Sequence, residues 1–297
     1  MHDIIEQAQD KVFLRSIVEN NYRLPADIDA HAFAKALLDN LGTLDAELRD
    51  ELLYLILAHA FIDDENAQRF STAQVEDVLL TSIDEQHLFY GIGETETDSV
   101  FMRSFSNLIV AAILFADRKQ QRLSEQVVRQ LQEALLHYTR EERDWRGYVQ
   151  GKGWAHAAAH LADTLDEIAQ SRYATTADRE AVLEALAHLA KLPVPLSYEE
   201  DERLAFGAYG IIARQQQAEP FVKNWLHAFI VVREETVPGG TEADVASWVS
   251  AANAKNFLRS LYFRLLWSSK AAFLLEPILN ILKKLDPLPS DWAANAE

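Results

Sequence analysis

Hydrophobic residues recur every three or four positions along most of the chain, which is the spacing of amphipathic α-helices. Leu48, Leu52, Leu55 and Ile56 show this spacing within residues 44–61. Proline, glycine and asparagine separate such stretches, and a capping residue stands where several of them begin. The pattern predicts helices over residues 3–20, 29–40, 44–61, 71–82, 99–116, 123–139, 176–192, 197–217, 220–236, 241–268 (as two helices or one bent helix) and 275–286.

Alternating strand patterns are almost absent, so the sequence predicts an all-α protein. The helices come in antiparallel pairs at intervals of roughly 45–50 residues, close to the HEAT and armadillo period. We therefore predict an irregular HEAT-like α-solenoid of stacked antiparallel helix pairs, forming a single elongated domain over residues 1–297. A compact multi-helix bundle is the alternative architecture.

The stretch from residue 144 to residue 163 departs from this helical pattern. It holds three of the ten glycines, two of the six tryptophans and two of the nine histidines. Gly147, Gly151 and Gly153 break any helix before Trp154. The Ala- and Leu-rich run that follows predicts a helix from Trp154 to about residue 169.

Two histidines and an aspartate of that predicted helix fall on one stripe. At about 100° per residue, His160 lies about 40° from His156, and Asp163 about 20° on the other side. Two histidines at this spacing can present nitrogens to one metal ion. His156 and Asp163 are about 10.5 Å apart along the axis, so Asp163 is predicted instead to accept a hydrogen bond from His160 and orient its ring.

His156, His160 and Asp163 are accordingly the candidate residues of a metal site, with Asp98 or Asp144 as the third ligand. This reading predicts a divalent metal as cofactor. The motif of the helical zinc proteases is excluded, because Ala157 stands where the general base would be. The alternative is that both histidines are polar residues of a packed helix, hydrogen-bonded to their neighbours, with no cofactor.

Composition limits the classes of partner. The formal net charge is -18, with 46 acidic and 28 basic residues, so nucleic acid and anionic membranes are not expected as partners. The chain has no cysteine, which excludes disulfides and thiolate ligands. We find no secretory signal and no apolar run of about 20 residues, and we expect a cytoplasmic protein.

Several polar and aromatic residues stand out against this acidic background. A basic patch in an acidic protein would favour a carboxylate or a phosphate. Gly151-Lys152-Gly153 lacks the spacing of a phosphate-binding P-loop. The alternative is that the cations are tethered core residues and that Trp154 is a core anchor. The candidate ligand-binding residues are Asp98, Arg103, Arg146, Lys152, Trp154, Asn256, Arg259 and Tyr262.

Three blocks of sequence carry a resemblance to a known family. They are residues 98–106, residues 256–262, and a central block with Arg146-Gly147-Tyr148-Val149, Lys152-Gly153-Trp154-Ala155-His156, His160 and Asp163. With these blocks, the chain resembles a bacterial family known as domain of unknown function 2785. The resemblance implies an all-helical, HEAT-like protein and supplies no reaction.

Two functional hypotheses follow. The first is a binding or scaffold module with a polar central cleft for a protein, a peptide or a small anionic ligand. The alternative is a metal-dependent hydrolase that uses His156 and His160, so the sequence leaves open whether the protein is an enzyme. In either case, we expect the three blocks to converge on one cleft, with Arg103 and Arg259 within about 15 Å of His160.

Overall fold

The computed structural model describes residues 2–214, 217–230 and 241–286. These residues group into two compact units, one up to Thr175 and one from Thr176 onward. The single elongated domain stays a prediction.

The first unit is almost entirely helical. Its elements are α1 (His2–Gln7), α2 (Lys11–Glu19), α3 (Ala30–Leu38), a π-helix (Glu47–Tyr54), α4 (Leu55–Ile62), α5 (Asp64–Ala67), α6 (Thr72–Ser82), α7 (Ser99–Gln120), α8 (Glu125–Glu141), the strands β1 (Tyr148–Val149) and β2 (Gly153–Trp154), and α9 (Ala157–Ala169).

The second unit contains α10 (Thr176–Leu189), α11 (Glu200–Ile212), α12 (Glu219–His227), α13 (Glu242–Ser268), a 3-10 turn (Ala272–Leu274) and α14 (Leu275–Leu285). The only sheet in the described part of the chain is the two-stranded β1–β2 hairpin. The predicted all-α class is therefore confirmed.

Helices in each unit form two rows. In the first unit, α1, α3, α6 and α8 contact one another in succession, as do α2, α4, α7 and α9. Contacts of α3 with α4, of α6 with α7 and of α8 with α9 join the rows. In the second unit, α10, α12 and α14 form one row, and α11 and α13 the other.

The long central helix α7 is the core of the first unit. Its length and composition alone would allow it to cross a membrane, but 83% of its most apolar window is buried inside the structure. The sequence reading missed this helix as a candidate span because Ser104, Ser106 and Asn107 interrupt the apolar run. All three are buried, which is typical of a core helix.

Several predicted helices have different bounds in the structure, among them the helix predicted over 197–217, which is observed as Glu200–Ile212. The helix predicted over 3–20 is two helices, because the Asp10 carboxylate accepts hydrogen bonds from the amides of Val12 and Phe13 and starts α2. Residues 47–54 of the predicted helix 44–61 are wound as a π-helix. The helix α12 ends at His227, earlier than predicted, and residues 231–236 lie outside the described residues.

Candidate functional site

A tight hairpin, β1–β2, takes the place of the start of the helix that was predicted from Trp154 onward. Tyr148 pairs with Trp154 and Val149 with Gly153 in antiparallel register. Gly151 and Gly153 have φ angles of +78° and +86°, which residues with a side chain rarely adopt. The glycines thus build a turn and a strand, where the sequence reading had used them only to end a helix.

The first histidine lies outside the helix, so the prediction of a helical pair was wrong. The helix α9 begins at Ala157, and His156 is its N-cap residue at a φ of 48°. The amides of Ala155 and His156 both donate to the carbonyl of Gly147, at 2.8 and 3.1 Å. His156 is therefore not a helical residue, although its ring still lies 5.8 Å from the ring of His160.

His160 is a buried residue of α9 with an internal partner. Its Nδ1 lies 3.2 Å from the carbonyl oxygen of Ser104 on α7, and a carbonyl can only accept, so the proton is assigned to Nδ1. One turn later, the Thr164 hydroxyl donates to the carbonyl of Asn107 at 3.0 Å. These contacts join α7 and α9. A hydrogen bond from His160 to Asp163 stays a prediction.

A row of aromatic rings runs from the hairpin surface into the core. The ring centroids are 5.0 Å apart for Tyr148 and Trp154, 4.2 Å for Trp154 and His156, 5.8 Å for His156 and His160, and 5.1 Å for His160 and Phe105. The outer end is open to solvent, with Tyr148 43% and Trp154 37% exposed. Trp154 is therefore packed on His156 on one side and reaches solvent on another.

Arg49, which no sequence pattern singled out, connects the π-helix to the hairpin. Arg49, in the π-helix, is fully buried and donates to the carbonyls of Thr43 and Lys152 at 2.9 and 2.8 Å. Its guanidinium lies 4.2 Å from the ring centroid of Phe101, a cation–π arrangement. Arg49 sits among helical residues of ordinary composition, so no spacing or motif could have singled it out.

Arg49 also forms an ion pair with its neighbour Asp50, whose side chain is 26% exposed. Its Nε lies 2.8 Å from Oδ1 of Asp50. Burial lowers the pKa of the Arg49 guanidinium, and the Asp50 charge opposes that shift. Burial likewise raises the pKa of the Asp50 carboxyl against the opposing charge of Arg49. The pair is therefore a partly desolvated support for the hairpin.

Arg103 binds groups of the protein itself. Its Nε and one terminal nitrogen donate to the two carboxylate oxygens of Glu142 at 2.6 and 2.9 Å. The other terminal nitrogen donates to the carbonyls of Tyr90 and Gly91 at 2.9 and 3.1 Å. The Tyr138 hydroxyl adds a 2.7 Å bond to Glu142, and burial raises the pKa of Tyr138. This buried network favours the tethered-core reading of Arg103.

The other two candidate cations of the first unit, Arg146 and Lys152, lie at the hairpin edge. Arg146 donates to both carboxylate oxygens of Asp144, at 2.7 and 2.6 Å, and to the carbonyl of Thr97 at 2.6 Å. Lys152 Nζ lies 2.5 Å from Oδ1 of Asp98. The side chains of Lys152 and Asp98 are 37% and 43% exposed. The first two sequence blocks therefore converge.

The third block lies on α13, in the second unit. Asn256 and Arg259 are exposed and share a long 3.5 Å hydrogen bond. Tyr262 packs edge-on against Phe263, with centroids 5.5 Å apart. The convergence of this block with the other two, and the 15 Å criterion for Arg259, stay predictions.

The described residues do not provide a set of ligands for the hypothetical metal site. Within residues 2–214, 217–230 and 241–286, no three histidine or carboxylate side chains are grouped so that they could hold a metal ion. Of the two proposed third ligands, Asp144 binds Arg146 and Asp98 binds Lys152. The geometry therefore does not favour the hydrolase alternative.

A cavity of about 200 Å³ lies at the C-terminal ends of α7 and α9. Glu167 lines it, and Arg118 lies 3.3 Å from one oxygen of that carboxylate. Burial raises the pKa of Glu167 to about 7, with Arg118 opposing the shift and Asp166 and Asp163 adding to it. No sequence pattern singles out Glu167, because an acidic residue on an amphipathic helix ordinarily lies on the solvated face.

Comparison with known proteins identifies one family. The family model described as Protein of unknown function (DUF2785) matches residues 88–263, which is more than half of the chain and includes all three sequence blocks. No curated protein and no solved structure matches the chain.

Proposed function

We propose that this chain, which belongs to the family of proteins of unknown function DUF2785, is a binding module that recognises an acidic peptide segment. The proposed contact area is the hairpin surface, defined as the exposed side chains of Tyr148, Lys152 and Trp154. Peptides are the favoured class among the predicted partners, because two adjacent aromatic rings offer contact area rather than a deep cleft.

The exposed pair Tyr148 and Trp154 is the observation that carries the proposal. The two residues lie directly opposite each other in the hairpin register, and their rings meet at 5.0 Å. Tyrosine and tryptophan lose little side-chain entropy on binding and dominate many recognition sites. Both side chains keep part of their surface open to solvent, 43% for Tyr148 and 37% for Trp154, and this adjacent apolar area supports a role in binding.

Contacts with His156 and Arg49 hold the Tyr148–Trp154 pair in a fixed position. Trp154 stacks on His156 at 4.2 Å, and Arg49 bonds to the backbone carbonyl of Lys152 at 2.8 Å. A surface that is ordered before binding avoids part of the entropic cost of association. These contacts explain how a hairpin with strands of only two residues stays in place.

Lys152 supports the acidic character of the ligand. Its partner Asp98 is exposed and on the same face, so a ligand carboxylate can replace Asp98 at little cost, as exposed ion pairs are worth about 0–1 kcal/mol. The net charge of -18 disfavours nucleic acid and anionic membranes, which present many phosphates over a large surface. A peptide carboxylate at Lys152 depends instead on the local charge, because salt screens more distant charges beyond about 8 Å. The absence of cysteine fits a cytoplasmic location.

The scaffold in this proposal is the HEAT-like stack of helix pairs. The two rows of helices within each unit, joined by contacts between consecutive helices, are the arrangement that such repeats produce. Loops between stacked helices commonly carry binding residues, and the hairpin lies between α8 and α9.

Selection of random displayed peptides against the full chain tests the proposal. We expect enriched peptides with acidic residues, whose affinity falls at least about tenfold in Trp154→Ala, as for a central aromatic contact. Trp267→Ala is the matched control, because Trp267 is 76% exposed on α13. Peptides that bind Trp154→Ala as well as the unaltered chain would contradict the proposal.

A further inference from the structure

A second cavity lies between α10 and α12, within the second unit. Its volume is about 380 Å³, in the range of pockets that hold small molecules. Ala187, Lys191, Phe221, Trp225 and Ala228 line the part of the cavity around the lysine, and Glu184, His188 and Asn224 line the rest. Glu184 stands seven residues before Lys191, about 10 Å along a helix axis, so its carboxylate belongs to the other end of the cavity. We call this cavity the Lys191 pocket.

The apolar side of the Lys191 pocket is fixed in place. The Trp225 indole Nε1 donates to the carbonyl of Leu183 at 2.7 Å, and its ring meets Phe229 edge-on at 5.1 Å. Trp225 is 5% exposed, so its ring orientation is set by the protein. Together with Phe221 and Ala187, it offers an apolar surface to the body of a ligand.

The polar side is a lysine that has no acidic partner. Lys191 Nζ donates to the carbonyl of Ala228 at 2.9 Å and lies 5.6 Å from the ring centroid of Phe229. Across the described residues, no ion pair joins Lys191 to a carboxylate. Burial lowers the pKa of Lys191. The ammonium is therefore partly desolvated and has only a carbonyl partner, so it remains available to a ligand carboxylate.

We infer that the Lys191 pocket binds a small carboxylic acid with an aromatic or branched apolar body. The Lys191 ammonium donates to the carboxylate, and the body packs against Phe221 and Trp225. Lysine has three donors, and the bond to Ala228 leaves two for the ligand. This site is independent of the hairpin surface, so the two proposals can fail separately.

The test uses 3-phenylpropanoate as the probe and 3-phenylpropanamide as its uncharged analogue. Binding to the full chain is followed by NMR through the indole N–H signal of Trp225, assigned with Trp225→Phe. Lys191→Met removes the charge at similar volume. Lys223→Met, in an exposed position of α12, is the matched control.

We expect the acid to bind with a Kd of about 1 mM or below and the amide at least about tenfold more weakly, since a charge-assisted hydrogen bond is lost. Lys191→Met should lower the affinity for the acid by a similar factor, and Lys223→Met should leave that affinity unchanged. Equal affinities for acid and amide would overturn the inference. That comparison needs only the unaltered chain, so it decides the question even if Lys191→Met fails to fold.

Discussion

The structural role of a single residue in this protein depends more on its burial in the fold than on its neighbours in the sequence. Arg49 and Arg103 are the clearest examples. Arg103 was expected in a ligand cleft, yet its guanidinium is fully buried and bonded to Glu142. No sequence pattern singled out Arg49, yet it donates a hydrogen bond to the backbone of the hairpin. Which arginine reaches solvent depends on packing between elements far apart in the chain, and a single sequence does not contain that information in readable form.

Glu167 gives a prediction at the same scale. Its folded-state pKa of about 7 lies above the ordinary value of 4.5. The neutral acid is therefore the form that the fold favours: its stabilising contribution is complete below pH 4.5 and is lost as the pH rises through about 7. Glu167→Gln, which resembles the neutral acid, should remove this pH dependence.

At pH 8 we expect Glu167→Gln to have a free energy of unfolding higher than that of the unaltered chain by on the order of 2 kcal/mol, after allowance for solvent screening. The difference should shrink toward pH 5. Urea denaturation at several pH values measures it, and Glu133→Gln, at an exposed position of α8, is the control. A difference that does not change with pH would refute the account of Glu167.

At the scale of elements, most helices were predictable and the central hairpin was not. Apolar spacing located α6, α7 and α8 to within a few residues of their observed ends, because each buries one face. The residues from Tyr148 to Trp154 form strands of two residues each, too short for any alternation to appear. Three glycines and two tryptophans indicated that residues 144–163 depart from the helical pattern. The hairpin itself depends on contacts with the π-helix, which are distant in sequence.

Gly153 and Gly151 form a matched pair that tests how the hairpin is held. A Cβ atom at Gly153 would lie 2.8 Å from Cβ of Ala46 and 2.9 Å from a terminal nitrogen of Arg49. At Gly151 it would meet no atom within 4 Å. Both positions have positive φ, so both alanine variants carry backbone strain of roughly 1 kcal/mol, and only Gly153→Ala adds a clash.

We therefore expect Gly153→Ala to lower the free energy of unfolding by about 1–3 kcal/mol more than Gly151→Ala does, as for an overpacked interior. Urea denaturation followed by tryptophan fluorescence gives both values. Equal losses for the two variants would mean that the hairpin does not rest on Arg49 and Ala46.

For the molecule as a whole, the sequence predicted the class of fold and the family, and the structure and the family match confirm both. Two of the three sequence blocks meet, through Lys152 with Asp98 and His160 with Ser104. The helix predicted from Trp154 to about residue 169 is present from Ala157 to Ala169, and only its first three residues, which include His156, are not helical. What emerges in its place is a solvent-exposed aromatic pair on a buried polar support, and this is the basis of the proposed binding role.

Site-specific photo-cross-linking in cells that express the protein tests that role most directly. A photoreactive benzoylphenylalanine replaces Tyr148 in one experiment and Phe115, which is 48% exposed on α7, in the other. The account predicts a discrete adduct from position 148 that disappears when Trp154→Ala is added, and no such adduct from position 115. The same adducts from both positions, or none from position 148, would contradict it.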